Sequence, residues 1–219
     1  MQLSGLEPGP ASDLVRIMSD AGLTICSAHQ PSLKLLNETD RCIETLQALG
    51  CKLAAYPFPK EVDFTLEVSV AAWIRRLATA GRKYAEARLT LGYHNHGFEF
   101  VKLGGVTILE RVYREIEPRH LASELDTYWV HYGGGDVLAW CRAMRGRMPF
   151  IHLKDYAFTA GNAPAFAEIG AGTLPMREII AEAEAGGCEW FIVEQDTCPG
   201  DPFASLRKSY EYLRGLALG

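Results

Sequence analysis

Side chains that could bind a metal ion or move a proton follow several apolar runs in this chain. The segment LGYHNHGFEF, residues 91–100, places His94 and His96 one residue apart and Glu99 three residues further on. This spacing alone does not separate a site from polar residues that close a strand, because most single histidines at strand ends are structural. The other such groups are Asp126 in ELDTYW, His152, Lys154 and Asp155 in FIHLKD, and Glu194 and Asp196 in FIVEQD.

These segments share a charged or imidazole group at the end of an apolar strand. Burying such a group is costly unless it is paired, so several strands that end together need a common compensating charge. A divalent cation would supply it, and carboxylate and imidazole ligands without thiolates favour Mn²⁺, Co²⁺, Zn²⁺ or Mg²⁺. Side chains two residues apart in a strand share a face, so His152 and Lys154 should point the same way and Asp155 elsewhere.

Short apolar runs alternate with amphipathic segments of helix length, which predicts repeated βα units on a parallel sheet. Either a barrel or a doubly wound sheet would fit, and in both folds ligands bind where the carboxyl ends of the strands converge. Residues 156–174 show weak periodicity and are predicted to be a functional loop, such as a lid or a substrate wall. The strand candidates are residues 2–5, 23–29, 51–58, 88–96, 121–128, 149–156 and 190–196.

Composition narrows the function classes. The 219 residues suit one domain, 1–219, and 48% hydrophobic with 22% charged residues is ordinary for a globular protein. The net charge of −5 without a Lys or Arg run makes nucleic acid an unlikely partner. No apolar segment approaches the ~20 residues that span a bilayer, and no signal peptide is visible, so no membrane contact and a cytoplasmic location are expected.

Together, YHNHGFEF, ELDTYWVHYGGGDV, FIHLKDY, IGAGTL and FIVEQDTCPGDPFASLRKSYEYL resemble the sugar phosphate isomerase/epimerase family of xylose isomerase-like TIM barrels, in the branch that reads HNHxFEF. The resemblance implies an α/β fold of the TIM-type (β/α) barrel class. Such a barrel has eight strands, whereas seven are readable here. The prediction is therefore a single barrel domain that lacks its first βα unit and is shortened at the N-terminus.

The resemblance also implies one divalent metal ion, Mn²⁺ first and Co²⁺, Zn²⁺ or Mg²⁺ as alternatives. Carried over position by position, its ligands are Asp126, His152 and Glu194. At the first ligand position this sequence departs from the commonest family pattern. Either Glu99 reaches the metal, which is preferred on charge, or His94 takes that place.

The implied activity is that of an isomerase or epimerase that acts on a sugar, ketose or related polyol. The hypothesis is α-proton abstraction through a metal-stabilised enediolate, with Glu194 as both ligand and proton acceptor. His96 or Glu99 would make the second proton transfer, while His94 and Lys154 would bind substrate. An inosose dehydratase-like lyase and a non-catalytic sugar-binding barrel are the alternatives. The expected partner is a small carbohydrate, and a homo-oligomer is left open.

Overall fold

The structure is a computed structural model that describes residues 1–5 and 10–216. The chain divides into two compact units. The first comprises Met1–Asn95 and Val101–Ser123, and the second comprises His96–Phe100 and Glu124–Gly219. Within the described ranges, no helix has both the length and the apolar character needed to cross a membrane. The expectation of a single domain stays a prediction.

The first unit contains four parallel strands that lie side by side in chain order, β1 to β4. The buried side of α4, which includes Trp73, Ile74 and Leu77, belongs to the core of this unit. The elements are β1 (Gln2–Leu3), α1 (Ala11–Asp20), β2 (Ser27–His29), α2 (Ser32–Asn37), α3 (Thr39–Ala48), β3 (Leu53–Tyr56), α4 (Glu67–Glu86), β4 (Thr90–His94), β5 (Lys102–Leu103), β6 (Val106–Thr107) and α5 (Ile108–Glu115), before β7 (Ala122–Asp126) begins.

The second unit holds the end of β7 and two further strands of parallel sheet, with β8 between β7 and β11. The seven predicted strands are therefore confirmed, although each is shorter than its apolar run. After a 3-10 turn at Phe98–Phe100 and the end of β7, the elements are α6 (Thr127–Tyr132), α7 (Val137–Ala143), β8 (Phe150–Leu153), β9 (Asp155–Phe158), β10 (Pro164–Ala167), α8 (Met176–Ala185), β11 (Trp190–Val193) and α9 (Pro202–Gly215).

A hairpin lies largely within residues 156–174, the segment that is predicted to be a functional loop. β9 and β10 pair antiparallel, with Asp155 opposite Ala167 and Phe158 opposite Pro164. Asn162 adopts a positive φ of 60° in the connecting turn, a conformation that asparagine tolerates well. Strands of four residues are too short to produce clear periodicity, so the sequence does not predict this hairpin. The functional role of the segment stays a prediction.

Asp155 anchors the chain that follows this hairpin. Its buried carboxylate accepts four backbone hydrogen bonds: Oδ1 from Tyr156 (2.8 Å) and Leu174 (3.2 Å), and Oδ2 from Gly170 (2.9 Å) and Gly172 (3.1 Å). A Cβ atom at Gly172 would lie 2.3 Å from Asp155 Oδ1, so a larger residue would force the carboxylate away. Asp155 therefore holds the loop 170–174 in place. The alternation of side chains along the strand predicted that Asp155 would point away from His152 and Lys154.

We expect Asp155→Asn to lower the free energy of unfolding by about 1–3 kcal/mol, because an amide group would turn a donor toward backbone donors. Urea unfolding measures the change. Asp136→Asn is the matched control, since Asp136 caps α7 by accepting from the Ala139 amide at 3.1 Å and asparagine caps equally well. Equal losses in the two variants would show that Asp155 has no special anchoring role.

Candidate functional site

Strand register brings the candidate side chains of the second unit to one side of its sheet. Asp126 lies opposite His152, and Ile192 pairs with His152 from the other side. Paired residues face the same side, and alternation along each strand adds the residues two positions away. Glu124 and Glu194 therefore join Asp126 and His152.

The imidazole of His152 lies between two carboxylates. Its Nδ1 atom is 2.8 Å from Glu194 Oε2, and its Nε2 atom is 3.5 Å from Glu124 Oε1. Glu124 and His152 are both buried. The sequence reasoning missed Glu124, although its place two residues before Asp126 in a buried strand was a usable signal.

Lys154 is the most heavily paired cation of the site. Its Nζ atom lies 3.0 Å from Asp126 Oδ2, 2.8 Å from Glu194 Oε2 and 2.8 Å from Asp196 Oδ1. The residue is only 1% exposed, so these carboxylates replace the water that would otherwise solvate the ammonium group. The Lys154 amide donates to Thr127 Oγ1 at 2.9 Å, which fixes the end of β8 against the start of α6.

Asp126 has two roles at once. Its Oδ1 atom accepts a hydrogen bond from the Trp129 amide at 3.0 Å and so caps α6, while Oδ2 faces Lys154. The same carboxylate therefore caps a helix and belongs to the charged cluster. Burial raises its pKa to about 6, against the attraction of Lys154 and His152 for the ionised form.

The charges of this cluster do not balance. Glu124, Asp126, Glu194 and Asp196 supply four carboxylates, and Lys154 with a protonated His152 leaves two negative charges over. Burial alone would lower the pKa of His152, but Glu124 and Glu194 outweigh it and raise that pKa to about 10. Burial would likewise raise the pKa of Glu194, yet His152 and Lys154 hold it well below its usual range.

The residues present fit a divalent cation. Asp126, His152 and Glu194 each offer one ligand atom, and these atoms lie within 4.8 Å of one another. Carboxylate oxygen and imidazole nitrogen donors suit Mn²⁺, Zn²⁺ and similar ions. Because a ligating imidazole is neutral, His152 would release its proton, and a charge of +2 would offset two of the three negative charges then left over.

His96 and Glu99 also lie in the second unit. Glu99 is buried, and its Oε2 atom accepts a hydrogen bond from the His96 amide at 2.8 Å. The His96 ring stacks on Phe98, with centroids 5.3 Å apart, and lies 5.6 Å from the Trp129 ring. The roles of Glu99 as a ligand and of His96 in proton transfer stay predictions.

His94 belongs to the first unit, where it ends β4. Its ring centroid is 5.0 Å from that of His29, which ends β2. The prediction that His94 binds substrate stays a prediction.

Similarity to known proteins agrees with the strand pattern of this chain. Residues 2–216 match the xylose isomerase-like TIM barrel family, and the chain belongs to that family. The predicted family and the TIM-type barrel class are thereby confirmed.

Three proteins that are similar to this chain in sequence or fold have known names. Inosose dehydratase from Geobacillus thermodenitrificans is 26% identical over 177 residues, which are 72% of this chain and 57% of the dehydratase, so the chain spans little more than half of that relative. A sugar phosphate isomerase/epimerase from Parabacteroides distasonis has 20% identity and a TM-score of 0.84, covering 99% of this chain and 86% of the other. The 3-keto-D-glucoside 4-epimerase from E. coli has 14% identity and a TM-score of 0.67, covering 93% and 84%.

We expect the metal-free protein to lose stability as the pH rises from 6.5 to 10. In that range the folded chain keeps a proton on His152 that the unfolded chain has released, since the pKa rises from 6.5 to about 10 on folding. The contribution is complete below pH 6.5 and falls by up to about 1.4 kcal/mol per pH unit above it. Urea unfolding of chelator-treated protein measures the slope.

His152→Gln should remove this part of the slope, and His131→Gln, a change at an exposed histidine of α6, should keep it. A parent protein whose stability is flat between pH 6.5 and 10 would contradict the charged state assigned to His152.

Proposed function

We propose that this chain is a divalent-metal-dependent isomerase or epimerase that moves a proton on the carbon beside the carbonyl group of a sugar or polyol. The observation that carries this proposal is the excess of carboxylates over cations around His152 and Lys154, with ligand atoms of Asp126, His152 and Glu194 within 4.8 Å of one another at the ends of β7, β8 and β11. The name of the 3-keto-D-glucoside 4-epimerase supports it, because its C4 lies next to the keto carbon.

Asp126, His152 and Glu194 would hold the cation in this proposal. A bound divalent cation supplies Lewis-acid stabilisation of negative charge that develops on a carbonyl oxygen. Mn²⁺ is the first choice, with Co²⁺, Zn²⁺ or Mg²⁺ as alternatives. Asp126 is fixed by its hydrogen bond to the Trp129 amide, and His152 by its two carboxylate neighbours, so these two donors are preorganised.

Either Glu124 or Glu99 would be the further acidic ligand. Glu124 is favoured, because its Oε1 atom lies 3.5 Å from His152 Nε2, whereas Oε2 of Glu99 is already used by the His96 amide. The preference for Glu99 rests on charge alone, and its role as a ligand stays a prediction.

Glu194 is the proposed proton acceptor. Its side chain is 38% exposed, whereas Glu124 and Asp126 are fully buried, so it can reach both the cluster and a bound substrate. The lowered pKa keeps this carboxylate ionised at neutral pH. His96, which is half-buried beside Trp129, would return the proton. Lys154 already faces three carboxylates, so in this proposal it would hold Glu194 in place instead of binding a substrate oxygen.

A lyase is the second candidate, supported by the inosose dehydratase relative. The same proton would leave first, and loss of hydroxide from the next carbon would complete a dehydration instead of an epimerisation. The residues named above would serve both outcomes, so the product identifies the reaction.

We expect Glu194→Gln to slow proton exchange at least 10²-fold, because general base catalysis is typically worth that much. The measurement follows deuterium entering a panel of ketoses and inososes by NMR, with protein loaded with Mn²⁺. Glu189→Gln, which alters an exposed carboxylate shortly before β11, should exchange as fast as the parent. A Glu194→Gln variant that also exchanges at the parent rate would exclude Glu194 as the base, and a parent without exchange on any ketone would favour a non-catalytic barrel.

We expect Glu124→Gln to weaken Mn²⁺ binding by about 10-fold or more, because Glu124 Oε1 lies 3.5 Å from His152 Nε2. Glu99→Gln should change Mn²⁺ binding by less, because Glu99 Oε2 accepts a hydrogen bond from the His96 amide. Electron paramagnetic resonance of free Mn²⁺ measures both affinities. The reverse order would restore Glu99 as the acidic ligand.

A further inference from the structure

The last helix of the chain, α9, carries large apolar side chains on its outside. Phe203, Leu206 and Tyr210 are 78%, 54% and 59% exposed, whereas Ser205 and Ser209 of the same helix are buried. Positions three and seven residues after Phe203 fall on the same face of a helix, so the three exposed side chains form one continuous stripe. We call these three side chains the α9 stripe.

The inner face of α9 is fixed, so the helix cannot roll to bury the stripe. Ser209 Oγ accepts a hydrogen bond from the Ile169 amide at 3.0 Å, and Ser205 Oγ donates to Glu168 Oε1 at 3.1 Å. Lys208 Nζ lies 3.1 Å from the same carboxylate oxygen. A rotation of α9 would break these hydrogen bonds, and the outward position of the stripe is therefore a property of the folded unit.

The α9 stripe is large enough to form the centre of an interface. Single exposed apolar side chains are common on protein surfaces, but a contiguous apolar patch marks a place where another molecule binds. From their exposed fractions, the three side chains together offer roughly 400 Å² of surface. A stable interface takes roughly 800 Å² from each partner, so the stripe and the side chains around it suit a dimer of micromolar affinity.

The charged side chains along one edge of the stripe are complementary to themselves. Arg207 follows Phe203 by one helical turn, and Glu211 follows Arg207 by another. In an antiparallel pair of helices related by a two-fold axis, the same edges of the two stripes face each other. With Leu206 of each copy against Tyr210 of the other, Arg207 of each copy comes beside Glu211 of the other. The edge charges therefore favour a second copy of α9.

A membrane surface fits the stripe less well than a second copy does. Helices that lie on anionic membranes are rich in Lys and Arg on their polar face. Here Lys208 is already paired with Glu168, and Glu211 stands between Arg207 and Arg214. Anionic lipid headgroups would repel Glu211, whereas a second copy offers it an arginine.

We propose that two copies of this chain associate through their α9 helices, which pack antiparallel with the two α9 stripes in contact. The arrangement has two-fold symmetry, so it closes as a dimer and each contact occurs twice. Arg207 and Glu211 form reciprocal ion pairs at the edge of this contact. The proposal goes beyond the proposed function and is independent of it, because it uses none of the residues that would bind metal or substrate.

Sedimentation equilibrium of the full chain tests the association. We expect a monomer–dimer equilibrium between about 1 and 300 μM. Leu206→Ser should weaken the dimer about tenfold or more, because it removes the centre of the stripe. Ile17→Ser on α1 is the matched control, since Ile17 is 53% exposed and lies outside the stripe, and it should dimerise as the parent does.

Two results of this experiment would overturn the proposal. One is a parent protein that stays monomeric throughout, including one that binds phosphatidylglycerol vesicles instead. The other is an equal effect of Leu206→Ser and Ile17→Ser on the dimer.

Exchange of the two edge charges tests the antiparallel direction. Arg207→Glu and Glu211→Arg should each weaken the dimer about fivefold or more, because each variant places like charges side by side across the two-fold axis. The double variant should return to within about threefold of the parent, because it restores opposite charges. All these variants should bind Mn²⁺ as the parent does, since none alters a ligand candidate. Single variants that dimerise as tightly as the parent, or a double variant as weak as either single one, would overturn the proposal.

Discussion

The buried ammonium group of Lys154 sets the conditions that the rest of the second unit must meet. An ammonium that is 1% exposed is tolerable only where carboxylates surround it, so β7 and β11 must end level with β8 and each must carry an acidic residue there. Asp126 and Glu194 satisfy this requirement, and Asp196 adds a third oxygen from the chain after β11. The cluster therefore contains more carboxylate groups than cationic groups, and this excess of negative charge makes it a candidate metal centre.

At the end of β8, neighbouring side chains point to opposite sides and therefore have different roles. His152 and Lys154 turn toward the carboxylate cluster, whereas Asp155, the next residue, gathers the amides of the loop 170–174. The hairpin that begins at Asp155 carries Phe166 to within cation–π distance of Lys154. Adjacent residues thus serve the charged cluster and the loop 170–174, and a shift of register by one residue would exchange their surroundings.

Much of this arrangement could be predicted from the sequence, because strands covered on both faces are continuous apolar runs and polar residues at their ends are conspicuous. The seven strands and the opposed directions of Lys154 and Asp155 follow from that pattern. The resemblance to the family then singles out Asp126, His152 and Glu194 among the residues at the strand ends. The β9–β10 hairpin, the stacking of Tyr128 on Phe166 and the hydrogen bond from the His96 amide to Glu99 depend on contacts between short segments, which periodicity does not encode. Glu124 could be predicted only in part. Its spacing from Asp126 indicates that both side chains share a face of β7, but only the register with β8 places Glu124 against His152.

The helix-capping bond of Asp126 limits how this site can change during evolution or redesign. One oxygen holds the start of α6 and the other faces the cluster, so a longer glutamate or a histidine at this position would have to leave one of those partners. Glu194 caps no helix and stands at the end of a strand, so its replacement disturbs less of the scaffold. New metal preferences or new proton-transfer chemistry in this protein should therefore arise by substitution after β11, while the residue at the end of β7 stays an aspartate.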